Sequence, residues 1–400
     1  MINAALAHAF KAESGRVLAA LIAQFRDFDL AEEALQDAMI EATRSWPRDG
    51  TPENGGAWLL AVARRRALDR LRKSARMKDE ALRQNLVLLT EESGLDEAAQ
   101  DIPDERLRLI FTCCHPALAQ DAQVALTLRT LCGLSAQEIA QAFLVPYTTM
   151  SQRLTRAKTK IRRAGIPYRV PEGPDIPARL DAVLTVIYLI FNAGYAPKNP
   201  ALSAEAQRLC AVLHQLQPLP ETAGLRALMA LHSARDKARL GSDSIAVSLK
   251  DQDRTLWDHQ AISTEKTRLL HALAQNRPGP YQIQAAISAL HCEAPDWHST
   301  DWAQICALYG ALYTLSPTPV VALNQAVAQA HAGMPEAALL ALAPLADPLQ
   351  DYQPFYAARA ELRANCGLVD QARQDYERAI ALTAAPEAQA FLRKKWQELP

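Results

Sequence analysis

Apolar residues recur along most of the chain at the three- and four-residue spacing of an amphipathic α-helix. No run of alternating apolar and polar residues bounded by hairpin turns interrupts this pattern. Of the 400 residues, 49% are apolar, 6% are aromatic and only 15 are glycine, a composition that favours helices packed on helices. The sequence therefore predicts an all-α protein of several domains.

The cysteines and the longest apolar run indicate where such a chain resides. The seven cysteines are irregularly spaced and form no CxxC pair, which is typical of buried thiols in a reducing compartment. Charged side chains at Lys11, Glu13 and Arg16 interrupt the apolar N-terminus, so we expect no signal peptide. The uncharged run at residues 182–197 is shorter than the ~20 residues of a membrane-spanning helix. We expect a buried core helix there, in a cytoplasmic protein without a membrane partner.

The strongest motif is a helix-turn-helix over residues 134–158. Ser135 and Glu138 predict a capping box that starts a helix, and Pro146 marks the turn. The next helix has one apolar stripe, formed by Met150, Leu154, Ala157 and Ile161. Residues 147–163 carry six basic side chains and no acidic one. This pattern predicts a DNA-recognition helix, and the alternative is an ordinary helical hairpin with a solvated basic face.

A second basic cluster lies on a helix predicted over residues 57–78, after a breaker-rich loop at 47–56. One side of this helix is apolar, with Leu60, Ala61, Ala67, Leu68 and Leu71. The opposite side is basic, with Arg66, Arg70 and Lys73. Such a helix suits docking on a domain core while facing a polyanion, although a membrane-surface helix would look similar. We interpret Trp46 and Trp58, which flank the loop, as core residues rather than base-stacking residues.

The remaining segments divide the chain. Residues 79–105 contain nine acidic side chains and one basic, which predicts a linker between two helical units. Four prolines between residues 165 and 177 mark another boundary. Near the C-terminus, Gly333 and Gly367 lie 34 residues apart, each between two predicted helices. That spacing is the period of tetratricopeptide helix pairs.

Taken together, the acidic helix at residues 29–42, the loop, the basic helix, the acidic linker and the helix-turn-helix resemble a known family. Residues 10–165 resemble regions 2 and 4 of the sigma-70 family, in its extracytoplasmic-function group. Three further motifs resemble the subgroup with a long C-terminal helical, tetratricopeptide-like extension, and they lie at residues 111–118, 188–195 and 250–258. The resemblance implies a region 2 domain at 1–78, a linker at 79–103, a region 4 domain at 104–165 and an extension at 166–400, with repeats near 300–400.

The resemblance also implies partners and site residues. Region 4 would read the promoter −35 element through Thr148, Thr149, Gln152, Arg153, Arg156 and Lys158. Region 2 would contact the −10 element through Asn54, Arg64, Arg65, Arg66, Arg70 and Lys73. Core RNA polymerase would bind the acidic helix through Glu32, Glu33 and Asp37. The expected function is promoter recognition and transcription initiation, with the extension regulating activity and binding a protein or a small ligand.

Two other functions remain open from the sequence. One is a helix-turn-helix transcriptional regulator with a helical-repeat sensor domain, and the other is an interaction scaffold whose basic faces are merely solvated. We expect neither enzymatic activity nor a cofactor, because no phosphate-binding loop, dinucleotide fingerprint, nucleophile elbow or HExxH motif occurs. We also expect no metal site at Cys113, Cys114 and His115, because adjacent cysteines on a helix point to different faces. A looser group around Pro295, formed by His291, Cys292, Glu293 and His298, stays open as a site.

Overall fold

The computed structural model describes residues 2–75, 102–143, 145–171, 175–195, 200–239, 241, 247–383 and 386–399. Every regular element within these ranges is helical, which confirms the predicted all-α class. No helix in the described part is both long enough and apolar enough to cross a membrane. The predicted acidic linker lies outside the described residues up to position 101. The chain divides into two compact units, Met1–Gln217 and Pro218–Pro400.

The first unit begins with three helices that pack on one another: α1 (Ile2–Phe25), α2 (Phe28–Asp49) and α3 (Gly55–Ala75). Asp27 caps α2, because its carboxylate accepts hydrogen bonds from the backbone N–H groups of Asp29 and Leu30. Gly50, at φ +90°, ends α2. The loop predicted over residues 47–56 is therefore shorter than expected, since α2 continues through Pro47 and α3 starts at Gly55.

The next four helices are α4 (Ile102–Cys113), α5 (Gln120–Thr130), α6 (Ala136–Ala142) and α7 (Tyr147–Arg163). The capping box at the start of α6 is present: the Ser135 hydroxyl accepts from the Glu138 backbone N–H, and the Glu138 carboxylate accepts from the Ser135 backbone N–H. The helix-turn-helix is formed by α6 and α7, and both contact α5. α4 packs against α1 within the same unit.

Two further helices complete the first unit, α8 (Asp175–Tyr195) and α9 (Pro200–Leu216). The uncharged apolar run at residues 182–197 forms much of α8, and its predicted burial is confirmed by Val183, Leu184, Val186, Ile187, Ile190 and Phe191. Arg179 of α8 donates to the Phe111 carbonyl at 2.6 Å, and Arg208 of α9 donates to the Leu131 carbonyl at 3.1 Å. The start of the segment predicted as the extension is thus bonded to the helices of the preceding domain.

The second unit contains nine α-helices over its described residues, besides three short 3-10 helices. They are α10 (Pro220–Ser233), α11 (His259–Leu273), α12 (Pro280–Glu293), α13 (Trp302–Leu315), α14 (Pro319–His331), α15 (Pro335–Leu342), α16 (Gln353–Asn365), α17 (Val369–Ala381) and α18 (Pro386–Gln397). Consecutive helices pack in pairs from α13 onward. This is the arrangement of stacked helical hairpins.

The repeat predicted from Gly333 and Gly367 has a structural basis. Each glycine follows one helix and precedes the next, and both have positive φ, +92° and +76°. On α17, a buried stripe is formed by Ala372, Tyr376 and Ala379. The α16–α17 pair also contains a buried carboxylate, Asp375, which accepts hydrogen bonds from Arg359 and Arg363.

Elsewhere in the second unit, two half-buried histidines lie beside arginines. His232 of α10 is 3.1 Å from the Ser288 hydroxyl through its Nε2 atom. Burial and, to a smaller extent, the charge of Arg235 lower the pKa of His232 to about 3. His291 packs against Trp297 and Trp302, and burial lowers its pKa to about 4.

Candidate nucleic-acid interface

The recognition helix α7 has the two faces that its sequence predicts. The apolar stripe of Met150, Leu154, Ala157 and Ile161 is buried. Thr148, Thr149, Gln152 and Arg156 are exposed. These polar and basic side chains lie at the start and middle of the helix, where a helix-turn-helix protein contacts base edges and phosphates. The exposed face is therefore suited to the major groove of DNA.

Two basic residues of α7 assigned to the −35 element are already engaged within the protein. Arg153 forms an ion pair with Asp121 of α5 at 2.9 Å, and only 24% of its side chain is exposed. The Lys158 ammonium is 2.8 Å from a Glu32 carboxylate oxygen, and 12% of its side chain is exposed. The helical pattern identified both as basic, but it carried no information about a partner on another helix.

On α3, the basic residues assigned to the −10 element fall into three groups. Arg65 and Lys73 are exposed. Arg66 and Arg70 are also exposed in part, with 45% and 42% of their side chains accessible, and both form ion pairs with carboxylates of α2. Arg64 instead donates to the Gln24 side chain of α1 at 2.7 Å, and burial lowers its pKa. The Arg64 contact is a helix-packing contact within region 2.

The apolar stripe of α3 differs from the prediction at one position. Leu60 and Ala67 are buried as expected, but Ala61 is exposed, and Ala63 lies on the buried side in its place. The loop before α3 places Asn54 at the helix start, where its side-chain oxygen accepts from the Ala57 N–H at 2.9 Å. Asn54 is exposed, so it combines a capping role with access to solvent.

The acidic residues of α2 assigned to polymerase binding are paired with basic side chains of this chain. Glu32 lies between Arg129 of α5, at 3.0 Å, and Lys158 of α7. Glu33 and Asp37 both pair with Arg70. The hydrogen bond with Asp37, followed by the charges of Asp37 and Glu33, raises the pKa of Arg70.

The two tryptophans on either side of the loop between α2 and α3 pack on each other. Their ring centroids are 5.5 Å apart in an edge-to-face arrangement. Trp46 is buried, with 4% of its surface exposed, and its ring lies where a Cβ on Gly55 would approach to 3.1 Å. The core interpretation of Trp46 is therefore confirmed, while Trp58 is half-buried.

The residues considered for a metal have other contacts. The Cys113 thiol is 3.2 Å from the Thr130 hydroxyl, and the Cys114 thiol is 3.6 Å from the Thr127 hydroxyl. Burial raises the pKa of both thiols, that of Cys114 to about 12, so both are neutral at physiological pH. Among the described residues, no three His, Cys, Asp or Glu side chains are arranged to hold a metal ion.

Three residues outside the sequence-based assignments also take part in the charged surface between α2 and α7. Arg162 of α7 lies 3.4 Å from Asp29 and 3.8 Å from Asp27, and Lys158 lies 3.0 Å from Asp29. Arg162 lies in the basic stretch at residues 147–163 and Asp29 in the acidic stretch at residues 29–42, so the sequence identifies both only as charged residues. Only the folded chain shows that they face each other.

The fold and surface define a class. The first domain has three helices, one of them acidic and one basic. The domain that follows is a helix-turn-helix with an exposed polar and basic recognition face. This combination is typical of DNA-binding transcription proteins.

Comparison with known proteins agrees with this class. Residues 9–77 match the family model for sigma-70 region 2, residues 108–161 match sigma-70 region 4, and residues 179–273 match a family of unknown function, DUF6596. An uncharacterized protein of Rhizobium meliloti (strain 1021) is 41% identical over 400 aligned residues, covering 96% of this chain and 93% of the relative.

Other relatives resemble only the N-terminal part. The ECF RNA polymerase sigma factor SigK of Mycobacterium tuberculosis (strain ATCC 25618 / H37Rv) is 26% identical over 161 residues, which cover 40% of this chain and 85% of the relative. SigK of Mycobacterium bovis (strain BCG / Pasteur 1173P2) matches to the same extent. No solved structure matches the chain. The chain belongs to the sigma-70 family, in its extracytoplasmic-function group, and carries a C-terminal helical extension.

Proposed function

We propose that this protein is a sigma factor that binds core RNA polymerase, recognises −10 and −35 promoter elements and directs transcription initiation. The observation that carries the proposal is the occurrence, in one chain, of an acidic helix, a basic helix and an exposed helix-turn-helix face within two sigma-70 domains. The catalytic chemistry of transcription belongs to the polymerase in this proposal. Because a sigma factor acts on chromosomal promoters, the proposal includes a cytoplasmic location for the protein.

The proposed roles of individual residues follow from their exposure. Thr148, Thr149, Gln152 and Arg156 are the accessible residues for the −35 element. Asn54, Arg65 and Lys73 are the accessible residues for the −10 element, with Arg66 and Arg70 partly accessible beside them. Exposed basic side chains at these positions suit phosphate contacts, and the polar ones suit base edges. Glu33 is the most exposed of the acids assigned to polymerase.

Polymerase binding is tested by co-purification. Full-length protein is mixed with core RNA polymerase of its host and analysed by size-exclusion chromatography. We expect a stoichiometric complex that the charge reversal E33K weakens, while E377K, a reversal on an exposed helix of the second unit, leaves it intact. DNA binding without any polymerase complex would instead favour a helix-turn-helix regulator with a helical-repeat sensor.

We further propose that the extension regulates the activity of region 4. Support comes from the bonds that Arg179 and Arg208 donate to backbone carbonyls of α4 and to Leu131. Replacing Arg208 by Gln removes one of them, and Arg239, which pairs with Asp236 inside the second unit, supplies the control R239Q. We expect R208Q, and not R239Q, to change polymerase-dependent transcript yield at least twofold. Equal yields would contradict regulation through this contact.

A further inference from the structure

The second unit contains a buried arginine whose charge is not balanced by a carboxylate. Arg235 lies just beyond α10, and only 9% of its surface is exposed. Its Nε atom is buried without a hydrogen-bond partner, and its guanidinium forms no ion pair with any residue that the structure describes. Burying an uncompensated charge is strongly unfavourable. An arginine in this position therefore points to an anionic ligand.

Three segments of the second unit converge beside Arg235. The backbone N–H of Asp258 donates to the Ala234 carbonyl at 2.9 Å, which fixes the segment before α11 against the end of α10. Arg254, in the same segment, donates to the His291 carbonyl at 2.6 Å, in the last turn of α12. The fold thus brings two arginines and a histidine into one neighbourhood.

The charges of Arg235 and Arg254 act on the same imidazole. Burial, followed by these two charges, lowers the pKa of His291 to about 4, so the ring is neutral at pH 7. Its Nδ1 atom is buried and, within the described part of the chain, has no hydrogen-bond partner. A neutral imidazole donates from one of its nitrogens, so His291 can add a hydrogen-bond donor without adding charge.

The motif at residues 250–258, which the proposed function leaves without a role, supplies two more donors. The Arg254 guanidinium lies over the Trp257 ring, 4.6 Å from its centroid. One guanidinium nitrogen of Arg254, Nη1, holds the His291 carbonyl, whereas Nη2 and the Trp257 Nε1 atom are buried with no acceptor among the described residues. Burial lowers the pKa of Arg254, and the charge of Asp296 offsets this only in part.

We propose that these residues form a binding site for a phosphoryl group, and we call them the anion cluster: Arg235, Arg254, Trp257 and His291. Two guanidinium groups match a doubly charged oxyanion better than a single carboxylate, and the planar guanidinium pairs with phosphate oxygens in a bidentate manner. A phosphoryl group carries about two negative charges at neutral pH. The anion cluster therefore gives the C-terminal extension a small ligand of defined chemistry.

The phosphoryl group has two possible sources, free phosphate and a phosphate ester. Beside the cluster, the His291 ring stacks on Trp297 with centroids 6.4 Å apart, and Trp302 lies edge-on to His291 at 5.2 Å. Both tryptophans are half-buried. Partly accessible aromatic rings next to an anion site suit the planar organic part of an ester.

The test is a titration of full-length protein with inorganic phosphate, which replaces potassium chloride at constant ionic strength. Tryptophan fluorescence reports binding, because Trp257, Trp297 and Trp302 lie in or beside the cluster. We expect a saturable fluorescence change and a rise in the midpoint of thermal unfolding. A parallel titration uses AMP, a phosphate ester with a planar ring. Tighter binding of AMP assigns the site to an ester, and equal binding assigns it to free phosphate.

Replacing Arg235 separates ligand binding from a role in folding. R235M removes the charge and keeps an unbranched side chain. In chloride we expect R235M to unfold at the same temperature as the unaltered protein or higher, because an unbalanced buried charge is gone. In saturating phosphate the order should reverse, and the affinity for phosphate should fall at least about tenfold. The milder variant W257F removes only the Nε1 donor and is expected to weaken phosphate binding about fivefold.

The matched control is K237M, which removes the same charge at an exposed position two residues from Arg235. We expect it to bind phosphate as the unaltered protein does, and equal losses in R235M and K237M would overturn a specific site. An R235M variant that is less stable than the unaltered protein in both salts would assign Arg235 to folding alone and would also overturn the proposal.

The remaining outcomes concern the ligand. No saturable change with either phosphate or AMP would overturn the proposal, as would saturable binding of the dicarboxylate succinate without binding of either phosphate compound. These titrations contain neither polymerase nor DNA. Their failure would leave the sigma-factor proposal standing, and failure of the sigma-factor proposal would leave the phosphoryl site standing.

Discussion

Arg156 and Arg153 lie one turn apart on the recognition helix and differ in availability to DNA. Arg156 is exposed, and within the described residues it has no ion pair. Arg153 is tied to Asp121 at 2.9 Å and is largely covered. We predict that R156Q removes one phosphate contact, which lowers the slope of log affinity against log salt concentration by about 0.9. Between 50 and 200 mM salt, that slope difference amounts to about 3.5-fold in affinity.

The assay is fluorescence anisotropy with a mixed-sequence DNA duplex at several salt concentrations. R153Q, which makes the same change in net charge one turn away, is expected to reduce the slope by less than half as much, because the Arg153 guanidinium already has a carboxylate partner. An unchanged slope for R156Q would refute the assignment of α7 as a DNA-binding surface. Equal slopes for both variants would refute the argument from exposure.

Three further predictions concern stability. S135A removes the capping box of α6 and is expected to cost about 1 kcal/mol in the free energy of unfolding, measured by urea denaturation. D375N leaves two arginines facing an amide and is expected to cost about 3 kcal/mol, against under 0.5 kcal/mol for the exposed control E377Q; equal losses would contradict the buried network. His232 and His291 have folded pKa values below the unfolded value of about 6.5. Below pH 6.5 the unfolded chain therefore takes up protons that the folded chain does not. As the pH falls through this range, the free energy of unfolding should decrease by about 1.4 kcal/mol per pH unit for each histidine. A flat profile from pH 6.5 to 5 would contradict the lowered pKa values of the two histidines.

The helical class and the helix-turn-helix were predictable because local patterns determine them. The capping box at Ser135 and the apolar stripe from Met150 to Ile161 depend on residues that are close in sequence, and the structure contains both. The positive-φ glycines of the C-terminal helix pairs, Gly333 and Gly367, have the same local origin.

What the sequence could not provide is the pairing of distant side chains. Helical periodicity places Lys158 on α7 but does not show that Glu32, far away in the chain, faces it. The same limit explains Ala61, whose exposure depends on the angle at which α3 packs on its neighbours. The sequence predicts a loop from Pro47 onward, yet α2 continues through Pro47 to Asp49.

Promoter-dependent initiation is the central claim, and its most direct test is the mapping of transcript 5′ ends. Full-length protein and core RNA polymerase are combined on the genomic DNA of the host, and the starts are sequenced with and without the protein. The account predicts a set of protein-dependent starts that share two upstream motifs about 10 and 35 base pairs away. Identical start profiles in both reactions would contradict it.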